Sequence, residues 1–528
     1  MAAHFPELFS ACTQCALIHE DNTLRTASFQ NSQADFYSAS VVLEETADGM
    51  AVFLSAPETL VSWVILRFPG TFPSGTLFYG DEWERGYGAL QWSTIRPERR
   101  LPWFFAAYNA NTRTFCGYGV KVRPHAMCVW QVDGEGISLY LDVRSGPRGV
   151  QLGSRTLRIA EVVYKETVDT EAYPAMSAFC RTLCPDPRLP AKPVYGFNNW
   201  YYAYGNSSRE GILEDVRLLA DVTAGLENRP YMVIDDGWQI NSDEGSWVNG
   251  NSRHGDMGQL AADMAADGVI PGIWVRLLTD TCKTLPEDWR RGPSLDPSIP
   301  GVLEHVKTQV RRFYDWGFRL IKHDFSSIDL CGYWGKDIKF SPTGMAFADQ
   351  TITTAEVFLN FYAAIREAAQ DAIVIGCNTF PHLLAGLAEL NRTGDDTSGL
   401  DWNRTRRMGV NTLAFRMPQN RSFYMSDADC VGIRPNSTVP WTLNKEWLRL
   451  LAQSGTPLFV SCDPKAATPE VRTALEEAFR LNSIQADQAE PLDWLDNVCP
   501  ANWKINGKTE HFHWYDALGY NAVLDPEK

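Results

Sequence analysis

The stretch "PYMVIDDGWQ", Pro230 to Gln239, decides the fold. An apolar run of strand length ends abruptly in two carboxylates, and a helical pattern comes before and after it. From Val194 onward the same rhythm repeats: "VYGFNNW", "VIPGIWV", "RLIKHD", "AIVIGCN", "ELNRTG", "SFYMSD" and "PLFVSCD" read as strands. "SREGILEDVRLLADV", "GVLEHVKTQVRRFYDWG", "TTAEVFLNFYAAIREAAQ" and "VRTALEEAFRLNS" read as helices between them. Fully apolar strands alternating with helices describe a parallel sheet covered on both faces. Eight such units over 190–484 fit an α/β chain with a (β/α)8 TIM barrel, for which ~250 residues is the usual size. A doubly wound sheet is the alternative, but no Gly-rich phosphate loop follows the first strand.

Upstream, residues 1–185 hold short alternating runs such as "MAVFLSA", "VSWVILRF", "GISLYLDV" and "TLRIAEVVY", broken by Gly, Pro and Asn. That pattern predicts an N-terminal β-sandwich domain. The Pro-rich "CPDPRLPAKP" reads as the linker. Downstream, 485–528 contains "WKINGKTEHFHWYDALGYNAVL", where Asn-Gly between alternating segments predicts a hairpin in a small C-terminal β module.

The chain has 528 residues and a net charge of -16, which argues against a nucleic acid or an anionic membrane as partner, since both need concentrated Lys and Arg. A neutral substrate fits, and 18 Trp, 19 Tyr and 26 Phe supply flat faces against which sugar rings can stack, although large aromatic cores would use the same residues. A homo-oligomer is compatible with all of this. The N-terminus shows neither a basic leader with an apolar centre nor a membrane span, so a cytoplasmic protein is expected; a secreted form that had lost its leader would read the same. Cys12 and Cys15 with Cys180 and Cys184 have loose spacing and no adjacent His, which disfavours a zinc site.

In a barrel, chemistry gathers where strands end. Here five strands end in acids: Asp235-Asp236, Asp324, Asp395-Asp396, Asp427 with Asp429, and Asp463. A lone Asp at such a place is commonly a helix cap. Several around one mouth suit either a pair of carboxyl groups for glycoside chemistry or oxygen ligands for a divalent metal. Metal is the weaker reading. His323 is the one His beside these acids in sequence, and alternation turns it away from the mouth if Lys322 and Asp324 point inward.

The order of "VIDDGWQ", "GIWV", "RLIKHDF", "IGCN", "RTGDD", "SDAD" and "PLFVSCD" resembles the α-galactosidase clan of glycoside hydrolases, most of all family 36, with family 27 as kin. "GDEWERGYGALQW", 80 to 92, is similar to the loop that the family's N-terminal sandwich lends to the active site. The resemblance implies a retaining α-galactosidase without a cofactor or catalytic metal, acting on a carbohydrate. Asp324 is then implied as nucleophile, with Lys322 bonding the sugar. Counting Arg-x-x-x-Asp from Arg392 implies Asp396 as acid/base, with Arg392 near the 2-hydroxyl. Asp235 and Asp236 are implied for the 4- and 6-hydroxyls, and Trp200 and Trp274 as aromatic walls. Cys377 and Asn378 follow the fifth strand, and Asn378 stands where relatives differ at the sugar's 2-position, which leaves galactose or N-acetylgalactosamine open. Transfer to another sugar, as in raffinose-synthase relatives, shares the same intermediate, and a binding protein that has lost turnover is the alternative from another class. Trp83 is read as a stacking element of the loop or a core residue. The acid/base role asks for a raised pKa at Asp396, which Asp395 or Asp324 would supply, and Asp395 either tunes Asp396 or caps the helix starting near Trp402.

Overall fold

The computed structural model describes residues 12–338, 344–484, 486–517 and 519. The leader reading at residues 1–11 and the end of the C-terminal module at 520–528 lie outside the described residues.

The apolar runs from Tyr195 onward form one sheet in which every neighbouring pair is parallel. Its first six strands are Tyr195–Asn198, Tyr231–Ile234, Ile270–Val275, Leu320–His323, Ile373–Gly376 and Leu390–Arg392. The eighth, Leu458–Cys462, pairs with the first. The expected seventh strand is split. Met425–Asp427 pairs with the sixth strand and Cys430–Ile433 with the eighth, so the sheet's two ends meet across Ala428-Asp429. Asp429 adopts φ 68°, a left-handed conformation that Asp tolerates better than most residues, and its N–H donates to Asp427 Oδ1 at 3.0 Å. The result is a curled, TIM-barrel-like sheet, with the helices Arg209–Val222, Pro300–Asp315, Thr354–Ala368 and Pro469–Asn482 where the sequence predicts helical segments.

Alternation along each strand sorts side chains between the sheet's two faces. Leu320, Ile373, Ile375, Leu390, Val233 and Phe459 form one compact apolar cluster, and Ile321, Val374 and Met232 pack in the larger core that includes the helices. Lys322 continues the parity of Leu320. His323 takes the opposite parity and packs against Phe361 and Tyr362 of the helix Thr354–Ala368. Burial pushes its pKa down to about 4, so the ring is neutral.

The N-terminal strands make two antiparallel sheets of six and seven strands, an arrangement that fits a β-sandwich. One departure from the all-β expectation is the helix Ala172–Leu183. Its buried Ala172, Ala175, Met176, Phe179, Cys180 and Leu183 lie at helical spacing, a stripe that the strand reading passed over. Phe179 lies over Gly117, where an added Cβ would come within 2.5 Å of the ring. At the other end, Asn502–Ile505 and Lys508–His511 form the expected hairpin, with Asn506 and Gly507 at φ 48° and 78°, the left-handed pair that such a turn requires. Among the described residues no group of three or more His, Cys, Asp or Glu is placed to hold a metal ion, and no helix is long and apolar enough to cross a membrane.

The N-terminal sheets are bolted to the parallel sheet by a buried ion pair. Arg416 donates from Nε to Asp81 Oδ1 at 2.8 Å, and its other nitrogens donate to the carbonyls of Thr393 and Glu84. Both charged side chains are almost wholly buried, at 1% and 2% exposure. His382 adds a second link: burial keeps it neutral with a pKa near 4, so Nε2 carries its proton and donates to Val120 O at 2.7 Å. Arg416→Met should strand the Asp81 carboxylate in a dry site and cost about 3–5 kcal/mol. Thermal or urea unfolding measures this, and a loss below about 1 kcal/mol would show that the pair does not hold the two sheet systems together.

Candidate functional site

A cavity of about 380 Å³ opens where the strands of the parallel sheet end. The structure brings Asp235, Asp236, Lys322, Asp324, Arg392, Asp396, Trp200, Trp274, Cys377 and Asn378 to its walls. Trp83 is not among them. Its ring is buried at 5% exposure and meets Trp103 edge-on at 5.1 Å, so it belongs to the core beneath the loop.

Asp324 follows the fourth strand. Trp274 Nε1 donates to its Oδ2 at 2.9 Å, while Asn378 Nδ2 and the Phe325 N–H donate to Oδ1 at 2.5 and 2.7 Å. Three neutral donors therefore fix the orientation of the carboxyl group. Asn378 is held in a left-handed conformation, φ 48°, which carries its side chain from the end of the fifth strand toward the fourth.

Asp235 is the counter-ion of Lys322, whose Nζ donates to Oδ2 at 2.7 Å; Asn198 Nδ2 donates to the same oxygen at 2.7 Å. Burial pushes the Lys322 pKa down, but the acidic groups around it, Asp235 foremost, together outweigh burial and hold the ammonium above its ordinary range. Asp236 next door accepts from Gln239 Nε2 at 2.8 Å, and burial pushes its pKa up.

The opposite wall carries the Asp-Asp pair after the sixth strand. Asp395 accepts from Arg85 at 2.7 Å and from Arg404, and is 14% exposed. Asp396 lies 3.5 Å from Arg85 and 3.3 Å from Arg392, and is 37% exposed. The raised pKa expected of Asp396 is not what this site gives. Burial pushes it up, but Arg392, Arg85, Lys322 and Arg404 outweigh burial and hold it below the usual carboxylate value. Nor does Asp395 cap the following helix. Asp401 does, accepting from Asn403 N at 2.9 Å.

Arg392, 2% exposed, is neutralised by Asp429 at 3.1 Å. Asp429 also accepts from the Thr397 N–H and the Tyr201 hydroxyl. Asp427 and Asp429 are therefore buried supports, and Asp463 caps the turn Pro464–Ala466, so neither strand end contributes to the cavity wall. Asn391 is likewise interior, accepting from Thr379 Oγ1 at 2.8 Å.

Several lining residues escaped the sequence reading: Arg85, Tyr87, Tyr201, Phe325, Trp334 and Lys336. The signal for Arg85 was present in "ERG", a cation beside a glycine in a loop already suspected of reaching the site. Gly86 pairs with Gly394 through Gly86 N to Thr393 O at 2.7 Å and Asp395 N to Gly86 O at 3.1 Å. A Cβ at Gly394 would fall 1.9 Å from Met408 O, so the Met408 carbonyl leaves no room for a side chain at this end of the bridge.

No protein-family model matches the chain. Among solved structures, an α-galactosidase from Thermus thermophilus in complex with p-nitrophenyl α-D-galactopyranoside is similar over 90% of this chain and 96% of its own, at TM-score 0.60 and 18% identity. The same enzyme in complex with stachyose gives 0.57 and 19%, over 83% of this chain and 96% of its own. A GH31 family sulfoquinovosidase from E. rectale gives 0.54 and 11%, over 94% of this chain and 82% of its own. At these identities the likeness is one of fold alone.

Glu84, buried beside the cavity, accepts from the Gly335 N–H, and burial raises its pKa to about 7. A carboxyl group with a folded pKa above its unfolded one binds more protons when folded, so stability falls as pH rises between about 4.5 and 7 and is level beyond. Glu84→Gln should remove that slope, worth roughly 3 kcal/mol across the window. Melting temperature against pH reads this directly, and an unchanged slope in the variant would count against a protonated Glu84.

Proposed function

We propose that the protein is a retaining glycoside hydrolase that removes terminal α-galactosyl-type residues from a carbohydrate substrate. The observation that carries this reading is the pairing of two differently held carboxyl groups in one cavity, Asp324 fixed by neutral donors and Asp396 set among cations. The fold shared with an α-galactosidase supports the choice of sugar. The working parts are an N-terminal sandwich at 1–185, a catalytic (β/α)8 barrel at 190–484 and a C-terminal β module at 485–528.

In the first step the Asp324 carboxylate attacks the anomeric carbon while Asp396 gives its proton to the departing glycosidic oxygen. A covalent ester forms and the aglycone leaves as an alcohol. Water then attacks the same carbon, Asp396 takes its proton, and Asp324 departs as carboxylate, so the configuration is retained. Lys322, Asp235 and Asp236 hold hydroxyls on one side of the ring, and Arg392 with Cys377 and Asn378 bounds the other. Trp200 and Trp274 offer apolar faces to the sugar's carbon skeleton.

The test is turnover of p-nitrophenyl α-galactoside and of its 2-acetamido analogue. Asp324→Ala should lose at least about a thousandfold in kcat. Asp396→Ala with azide should release an α-galactosyl azide, because the anion needs no general base and attacks the covalent intermediate from the same face as water. Tight sugar binding without turnover would instead identify a carbohydrate-binding protein, and full activity in Asp324→Ala would remove the nucleophile assignment.

A further inference from the structure

We propose that Arg85, delivered by the N-terminal loop, is a positioning residue for the acid/base pair: it fixes Asp395 as a permanent counter-ion and leaves Asp396 as the carboxyl group free to exchange a proton with substrate. The inference rests on the glycosidase reading of the site, and it concerns a residue outside the parallel sheet whose strand ends carry the two proposed catalytic acids.

Three observations meet at Arg85. Its guanidinium spans both members of the Asp-Asp pair, at 2.7 Å from Asp395 and 3.5 Å from Asp396. It is nearly buried, and its guanidinium lies 5.8 Å from the Tyr87 ring and 5.7 Å from the Trp334 ring, so it has little freedom to follow another partner. Its place is fixed by the backbone bridge of Gly86 to Gly394 and, behind it, by Arg416 holding Asp81 and the Glu84 carbonyl. A cation that only completed a surface ion pair would need none of this support.

The pair is consequently asymmetric. Asp395 receives two guanidinium groups, from Arg85 and Arg404, and its charge is spent on them. Asp396 receives the longer contacts and retains exposed surface toward the cavity. The charged and titratable groups around Asp396 come from every neighbouring element: Arg392 and Asp395 from the sixth strand and its end, Lys322 from the fourth, Cys377 after the fifth, Arg404 from the helical turn after the pair, Arg85 with Glu84 and Tyr87 from the N-terminal loop, Lys336 across from that loop, Tyr201 after the first strand, Asp429 beyond Arg392, and Asp235, Asp236 and Asp324 across the cavity. Arg85 is the one cation in this set supplied by the N-terminal segment.

The experiment compares wild type, Arg85→Met, Arg85→Lys and Asp395→Asn by two readouts. One is the pH dependence of kcat/KM on p-nitrophenyl α-galactoside. The other is the carboxyl 13C titration of aspartate-labelled protein, with the Asp396 signal assigned by its loss in Asp396→Asn. Removing the Arg85 cation should move the Asp396 titration and the basic limb of the profile upward by about one pH unit. Arg85→Lys should move them less. Asp395→Asn removes an anion and frees two guanidiniums, so both readouts should move downward. Opposite signs in the two variants separate an electrostatic role from a folding defect, which lowers activity without shifting a limb. An Asp396 titration unmoved in Arg85→Met, or moved in the same direction by both variants, would overturn the proposal. A shifted titration in a protein that turns over no galactoside would uphold the role of Arg85 and overturn the glycosidase reading alone.

Discussion

A guanidinium buried as deeply as that of Arg392 must be neutralised in place, and much of the site's architecture follows from meeting that need. An unpaired charge in a medium of low dielectric costs many kcal/mol, so the sheet has to bring an anion to it. Asp429 is that anion. It can reach Arg392 because the seventh strand breaks at Ala428-Asp429 and the backbone turns left-handed there. A continuous strand would point residue 429 along the regular alternation and pair its backbone with both neighbours. The irregular strand is thus tied to the charge it serves.

The same constraint explains why the N-terminal sheets are integral to the site. Their loop inserts Arg85 among carboxylates that would otherwise repel one another, and the inserted charge needs its own supports. Asp81 and Arg416 provide one, and close glycine-to-glycine contact provides another. Buried ion pairs add little net stability compared with well-packed apolar side chains, but they penalise any arrangement that leaves a partner unmatched. Here they fix one seating of the loop against the end of the sheet.

How much of this was legible follows from which physical signals are local. Eight of the nine parallel strands and four of the helices between them were readable because burial on both faces makes each strand an uninterrupted apolar run, as at "PYMVI" and "RLIKH"; the strand Cys430–Ile433 and the helices Met257–Ala266 and Trp441–Gln453 were passed over. His323 was readable as outward-facing from parity alone. The helix Ala172–Leu183 was hidden because Ala, Cys and Tyr within "AYPAMSAFCRTL" blur the contrast between its faces, and a proline stands near its start. Acids at strand ends were visible, but their division of labour was not. Asp427, Asp429 and Asp463 share the position of true wall residues, and only the strand break and the cap geometry set them apart. Arg85 was passed over for a different reason: "ERG" marked a cation in a loop suspected of reaching the site, but its partners lie some three hundred residues away, so nothing local showed which groups it would meet.

The contrast between the two carboxyl groups also bears on how one residue can serve as acid and then as base. In the proposed reaction Asp324 begins as an anion, and its field raises the proton affinity of other groups in the same cavity, Asp396 among them. Formation of the glycosyl ester removes that anion. The cations Arg392, Arg85, Lys322 and Arg404 then act on Asp396 without opposition from the nucleophile, and its proton affinity falls just as the proton has been delivered to the leaving group. The resulting carboxylate is held ready to receive a proton from water. When the ester is hydrolysed the Asp324 anion returns and the affinity rises again. A site whose fixed charges were neutral overall at Asp396 would retain the acid form more readily, but would make a poorer base for the second step. In the proposed reaction the cationic surroundings therefore favour the second step, in which Asp396 acts as base, over the first, which needs it protonated.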